Sequence, residues 1–254
     1  MPRFFVKNEQ IQDGKVKIIG NDAFHISRAL RMAAGEHITV CDRNGFEYDC
    51  VLEVFSDDFV EAKLENSRLS DAEPRFFAHI YQGLPKGDKL DLIIQKAIEC
   101  GASEITTFES EFCIAKSKPD SEEKKLDRRN RIALEAAKQC GRAIIPRVNP
   151  TISFAKMISE AKKANLVLFC YEGENTFPIG HFLRNMKIDE NVSAEDKVPQ
   201  IAIIVGSEGG FSAKEFAVAE KEGFKICGLG KRILRTETAA MFALCCLVYE
   251  TELS

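Results

Sequence analysis

The chain has 254 residues, room for two small domains or one large one, with 45% hydrophobic and 29% charged residues. No apolar run approaches the ~20 residues of a membrane helix, and MPRFFVKNEQ lacks the apolar core and cleavage site of a signal peptide. No membrane helix is therefore expected, and the cytoplasm is the expected location. A net charge of −4 argues against a protein coated in nucleic acid.

Residues 1–70 read as a compact β-rich unit. Asp22–Met32 mixes Phe24, Ile26, Ala29, Leu30 and Met32 with His25, Arg28 and Arg31, a short helix with one basic side. Ile38–Cys41 and Phe46–Phe55 flank Arg43-Asn44-Gly45, where Asn-Gly is expected to supply the positive φ angles of a tight hairpin. A second turn at Ser56–Asp58 leads into Val60–Leu64, and the polar Glu65–Pro74 reads as a linker.

After Pro74 strands alternate with longer helices. Phe76–Leu84 is a predicted strand, Asp88–Cys100 an amphipathic helix stopped by Gly101, and Ile105–Phe108 the next strand. Ser121–Cys140 is a charged helix closed by Gly141. Leu166–Tyr171 and Ile201–Val205 are unbroken apolar runs of the kind buried parallel strands show. Lys187–Pro199 reads as a mobile polar insertion. The pattern predicts an α/β domain over residues 75–254 whose sites lie at the carboxyl ends of strands.

Charge is unevenly spread. Residues 1–70 hold nine Lys/Arg against twelve Asp/Glu, while residues 116–147 hold ten against five. A basic face on an acidic protein suits a partner met through one side, although a solvated helix face explains the same numbers. The nine cysteines include no CxxC pair. They read as reduced core residues, and no metal site is expected.

Two strand ends carry chemistry. Ile201–Val205 runs into Gly206-Ser207-Glu208-Gly209-Gly210, and then Ser212 and Glu215 have the spacing of a capping box. Three glycines in five residues let a ligand approach the backbone closely, although a tight connection looks the same. No GK[ST] follows, so a phosphate loop is not indicated. The second end is Phe224–Leu229, followed by Gly230-Lys231-Arg232-Ile233-Leu234-Arg235-Thr236-Glu237-Thr238 and the apolar helix Ala239–Tyr249. Lys231, Arg232 and Arg235 would crowd cations at a helix start, where the dipole disfavours them. A site handling anionic backbone, or a base developing negative charge, explains them better than core stability does.

VGSEGGFS, LGKRILRTETAA and KQCGRAIIPRV resemble the 16S ribosomal RNA uridine-N3 methyltransferases (RsmE type) of the SPOUT superfamily. MPRFFV, HISRALRMAAGE and LPKGDKLDLIIQKAIECGASEI extend the resemblance over nearly the whole chain in order. It implies an N-terminal PUA-like β-barrel for RNA and a SPOUT α/β domain with a C-terminal trefoil knot. It also implies a homodimer that uses S-adenosylmethionine, with 16S rRNA, within an assembled small subunit, as substrate. A related enzyme acting on another RNA such as tRNA, or a non-catalytic RNA-binding assembly factor, is the alternative.

By position, the resemblance places the cofactor among Tyr171 and Glu172, Gly206, Ser207, Glu208, Gly209 and Gly210, and Leu229, Gly230, Ile233, Leu234 and Thr238. Uridine N3 is a poor nucleophile until its proton leaves. A cation stabilising the anion and a base taking the proton are therefore needed. Arg235 and Arg142 are the candidate cations, and Glu208 and Glu237 the candidate acceptors. Arg3, Arg28, Arg31, Arg142 and Arg232 are candidate RNA contacts. The chain departs from the family pattern at Ser207, where proline is usual, at Lys138, where an acid is usual, and at Phe112, where arginine is usual.

Overall fold

The computed structural model describes residues 1–117, 119–174, 176–184, 186 and 198–254, so the insertion expected at Lys187–Pro199 falls mostly outside the described residues. Two compact units result: Met1–Glu73 with Ala137–Ile145, and Pro74–Ala136 with Pro146–Ser254.

The first unit is a curled six-stranded mixed sheet in the order β1-β4-β5-β6-β3-β2. Its strands are β1 (Arg3–Phe5), β2 (Ile11–Gln12), β3 (Lys15–Ile19), β4 (His37–Cys41), β5 (Phe46–Phe55) and β6 (Phe59–Leu69). Alternation sends Val16, Ile18, Ile38, Val40, Leu52 and Val60 into one core. Three local expectations change. The β4–β5 turn takes its positive φ at Arg43 (69°) and Gly45 (100°), not at Asn44. The reason is Asp42, whose Oδ1 accepts from the N–H groups of both Asn44 and Phe46 and shapes the loop around itself. β6 runs on to Leu69 through half of the expected linker because β5 is long enough to pair with it, and Arg68 meets Glu47 and Asp49 across the pair. The expected helix at 22–32 is a single α-turn, α1 (Gly20–Phe24), followed by a π-turn at His25–Ala29 and ended by Arg31 at φ 53°.

The second unit holds a seven-stranded all-parallel sheet in the order β11-β13-β10-β12-β7-β8-β9. Its strands are β7 (Phe77–Gly83), β8 (Ala102–Glu109), β9 (Arg147–Ser153), β10 (Leu166–Cys170), β11 (Phe177–Pro178), β12 (Gln200–Val205) and β13 (Lys225–Gly228). Helices α2 (Lys89–Glu99) and α7 (Thr236–Val248) pack together against one face. On the other face α4 (Phe154–Ala161) and α6 (Ala213–Lys221) close a core of Tyr81, Phe108, Met157, Phe169, Ile204 and Phe211. α3 (Pro119–Cys140) and the short α5 (Ile179–Leu183) complete the chain.

β9 escapes the sequence pattern because RVNPTIS is polar and contains Pro150; as an edge strand pairing only with β8 it tolerates both. α7 starts three residues before the expected Ala239, with Arg235 as its N-cap residue, so Lys231 and Arg232 lie in the preceding loop. All nine cysteines are free thiols; five are buried, as core residues should be, but Cys245 is exposed on α7. Among the described residues no helix is long and apolar enough to cross a membrane.

Candidate active site

Three neighbouring strands, β13, β10 and β12, deliver their carboxyl ends to one cavity of about 660 Å³. β10 leads into Tyr171, Glu172 and Gly173; β12 into Gly206–Phe211; β13 into Leu229–Arg235. Both segments singled out by their composition thus line the same space. Thr236 and Ala239 of α7 also line it, whereas Glu237 and Thr238, between them on the helix, do not.

The glycines are used in different ways. Gly210, at φ 66°, closes a turn in which its N–H donates to the Ser207 carbonyl at 3.0 Å. Gly209 lies under Phe112: a β-carbon there would come within 2.8 Å of the Phe112 Cβ. Phe112, the departure from the family pattern, therefore packs on the glycine loop. The expected capping box also forms, with Ser212 N–H donating to Glu215 Oε2 at 2.9 Å and Glu215 N–H donating back to Ser212 Oγ at 3.3 Å. The other Glu215 oxygen accepts from the Glu111 N–H.

Beneath the loops lies a buried knot of hydrogen bonds absent from the sequence reading. Thr236 Oγ1 donates to the Gly206 carbonyl at 2.6 Å and accepts from Gln82 Nε2 at 2.8 Å. Gln82 Nε2 also reaches the Gly206 carbonyl at 3.2 Å. β7, β12 and the start of α7 are thereby tied at one point. A β-carbon on Gly83 would fall 2.4 Å from the Ser207 nitrogen, so only glycine lets the strand and loop meet.

Lys89 of α2 was likewise unforeseen. Its Nζ stands 3.0 Å from Glu208 Oε1 and 3.4 Å from Glu237 Oε2, bridging the two expected proton acceptors. Partial burial acts to raise the Glu208 pKa. Hydrogen bonds from its own backbone, from Lys89 and from the Lys86 N–H, with the Lys89 charge, outweigh burial and hold the carboxyl below its ordinary value. Glu208 thus favours the ionised form in the folded state, and its contribution to stability fades as pH falls through that depressed value. Lys89→Met is expected to move the Glu208 titration upward, read by carbon-detected NMR of the side-chain carboxyl; an unmoved titration would show that the lysine contributes nothing.

The site suits a ligand carrying both charge and hydrogen-bonding groups. Ser207 Oγ and Gln82 Oε1 are buried without a hydrogen-bond partner, and buried Glu237 Oε2 has only the long 3.4 Å ion contact to Lys89, which costs free energy unless something else supplies a partner. Ile233 is 83% exposed at the mouth, beside the partly buried Leu229 and Leu234. Lys231, Arg232 and Arg235 are exposed on the same rim, and no described acid pairs with them. No group of three metal-ligating side chains occurs among the described residues.

The remaining expected contacts lie in the first unit. Arg28 and Arg31 are exposed. Arg3 is held by Glu47 at 2.7 Å and Cys41 at 3.0 Å. Arg142 is 3% exposed and its guanidinium meets Glu73 at 2.8 and 3.1 Å. This expected site cation is thus paired with a carboxylate of its own unit.

Fold and cavity define an α/β enzyme with its ligand site at the carboxyl ends of parallel strands, joined to a small β unit. A family model for the RNA methyltransferase domain matches residues 72–248, and one for the RNA methyltransferase PUA domain matches residues 18–65. The ribosomal RNA small subunit methyltransferase E of Bacillus subtilis is 34% identical over 256 residues, covering 100% of this chain and 98% of its own. That of Mesomycoplasma hyopneumoniae is 36% identical over 172 residues, 68% of this chain and 69% of its own. The crystal structure of the Neisseria gonorrhoeae enzyme of the same name, bound to S-adenosyl methionine, superposes with a TM-score of 0.81 at 28% identity, covering 98% of this chain and 97% of that one. The chain belongs to the RNA methyltransferase family of SPOUT type, in the group of ribosomal RNA small subunit methyltransferases E.

Proposed function

We propose that the chain transfers the methyl group of S-adenosylmethionine to N3 of a specific uridine in 16S rRNA, acting as a homodimer with a knotted C-terminal region on an assembled small subunit. The observation that carries this reading is the single cavity built by both the Gly206–Gly210 turn and the Leu229–Arg235 loop. S-adenosylmethionine supplies a methyl group on a positive sulfur, and displacement there requires in-line alignment with the nucleophile.

The residues around the cavity have these roles in the reading. Tyr171, Glu172, Gly206, Ser207, Gly209, Gly210, Leu229, Gly230, Ile233, Leu234 and, just beyond the lining, Thr238 hold and orient the cofactor. Arg235, exposed and paired with no described acid, stabilises the deprotonated base. Glu208 and Glu237 receive the N3 proton, with Lys89 between them. Arg28, Arg31 and Arg232 are left to engage phosphates, since Arg3 and Arg142 are paired internally. Phe242, Tyr249 and Leu253, 37%, 59% and 70% exposed at and beyond α7, support a dimer through that helix.

Arg235→Ala is expected to slow single-turnover methylation about 100-fold, the usual effect of removing one donor to a developing anion, while cofactor affinity stays unchanged. Full activity in that variant would remove Arg235 from the mechanism. Mapping methyl groups on 16S rRNA by mass spectrometry, with and without the protein, tests the function as a whole. Persistence of every methyluridine in its absence would overturn the reading.

A further inference from the structure

A second cavity, of about 480 Å³, opens over the amino-terminal halves of β7, β8 and β12 and beside β9, at the opposite end of the strands from the first. Parallel sheets are normally covered on both faces by apolar packing. Here the uncovered patch is polar and organised. His79 of β7 lies over the Tyr81 ring, with centroids 4.0 Å apart and planes at 23°. Asn149 Nδ2 donates to Glu104 Oε1 at 2.6 Å and to Thr106 Oγ1 at 2.9 Å. The Nδ1 of His79 faces the acceptor-only Glu104 carboxylate, 3.4 Å from Oε2, and so carries the ring proton, which leaves Nε2 to accept from the Thr106 hydroxyl, 2.7 Å away. Burial pushes His79 down to about 4 against the pull of Glu104, so the ring is neutral at physiological pH.

The cavity therefore presents a neutral aromatic surface beside a carboxylate that is 22% exposed and ready to accept. Small side chains, Ala161, Ala164 and Ala202, leave a slot next to the ring. Lys156 and Lys163 also line it; Lys156 meets Glu160 at 3.7 Å, an exposed pair of little strength. The volume is within the usual range for small-molecule sites. A flat ring, an acceptor and cations around one cavity match a planar heterocycle that bears an amine and an anionic group.

We propose that this cavity binds a nucleoside monophosphate whose base bears an exocyclic amine, free or as a unit of RNA. The base stacks on His79, the amine donates to Glu104, and the phosphate meets Lys156 and Lys163. The site is separate from the methyl-transfer cavity and does not depend on that activity.

Calorimetric titration of the full chain with adenosine monophosphate tests this. Saturable binding is expected, weaker by about tenfold for inosine monophosphate, whose carbonyl faces Glu104 in place of the amine. Glu104→Gln keeps an acceptor for Asn149 and is expected to weaken adenosine monophosphate by a similar factor. Ala164→Trp fills the slot from a partly exposed position and is expected to abolish binding, with an unchanged melting temperature and unchanged S-adenosylmethionine affinity. A short oligoadenylate distinguishes the sources: weaker oligonucleotide binding by Ala164→Trp assigns the site to RNA, and an effect on the mononucleotide alone assigns it to the free nucleotide. The proposal fails if no saturation is reached at millimolar nucleotide, if S-adenosylmethionine competes, or if both variants bind as the unaltered chain does.

Discussion

Replacing Gly83 with alanine is expected to remove measurable binding of S-adenosylmethionine, the proposed cofactor. Nothing in the conformation of Gly83 forbids a side chain. The obstacle is space, because the new carbon would lie 2.4 Å from the Ser207 nitrogen and 2.7 Å from the Gly206 carbonyl carbon. Both obstacles are backbone, so β7 and the β12 loop would have to separate. Separation pulls the Gly206 carbonyl away from Gln82 and Thr236, and with it the floor of the cavity. Overpacking of this kind costs about 1–3 kcal/mol, and each lost buried hydrogen bond adds about 1 kcal/mol. Calorimetry with the cofactor, with circular dichroism to show that the sheet survives, checks the expectation. Affinity within about twofold of the unaltered chain, a change of under about 0.5 kcal/mol, would mean that the loop gives way without harm to the cavity.

The second large effect is expected far along the sequence from that cavity. Glu73→Ala should lower the melting temperature by roughly 10 °C. Glu73 Oε2 accepts from Arg142 Nε and Nη2, while Oε1 accepts from the N–H groups of Ala143 and Ile144 at 2.8 and 2.9 Å. Arg142 side-chain exposure is only 4%, and the Glu73 carboxylate faces this buried charge at 2.8 Å. Removing one partner of a buried ion pair costs about 3–5 kcal/mol, and each kcal/mol is worth about 2–4 °C in a chain of this size. Glu73→Gln keeps acceptors for the two backbone N–H groups and should lose less. Equal melting points for the two variants would show that the charge of Glu73 is irrelevant. An Arg142→Ala variant would therefore report on folding before it reported on RNA.

What the sequence made legible was whatever repeats or runs. The apolar runs at 166–171 and 201–205 are β10 and β12, and Gly101 and Gly141 follow helices as expected, both at positive φ. The glycine turn and the Leu229–Arg235 loop were visible as departures from ordinary composition, and they line one cavity. Long-range partners were not legible. Lys89 looked like one more charge on an amphipathic helix, and only the folded sheet brings it to Glu208, 119 residues later. Gln82 and Thr236 are separated by 154 residues. The His79 cluster was hidden for the same reason: its members, His79, Glu104, Thr106 and Asn149, are unremarkable polar residues spread over three strands. The pairing of Arg142 with Glu73 was hidden in the same way, since the carboxylate lies 69 residues earlier in the chain.

The first unit closes only when residues 137–145 join residues 1–73. Its polypeptide is therefore discontinuous, and Glu73 waits for donors contributed about seventy positions later. A gene fragment ending at the apparent linker would encode all six strands but leave that carboxylate without Arg142, Ala143 and Ile144. Such a unit cannot be cut out and shuffled between proteins as a contiguous cassette. During synthesis, too, it must stay unfinished until most of α3 has emerged, which couples its maturation to that of the methyltransferase half.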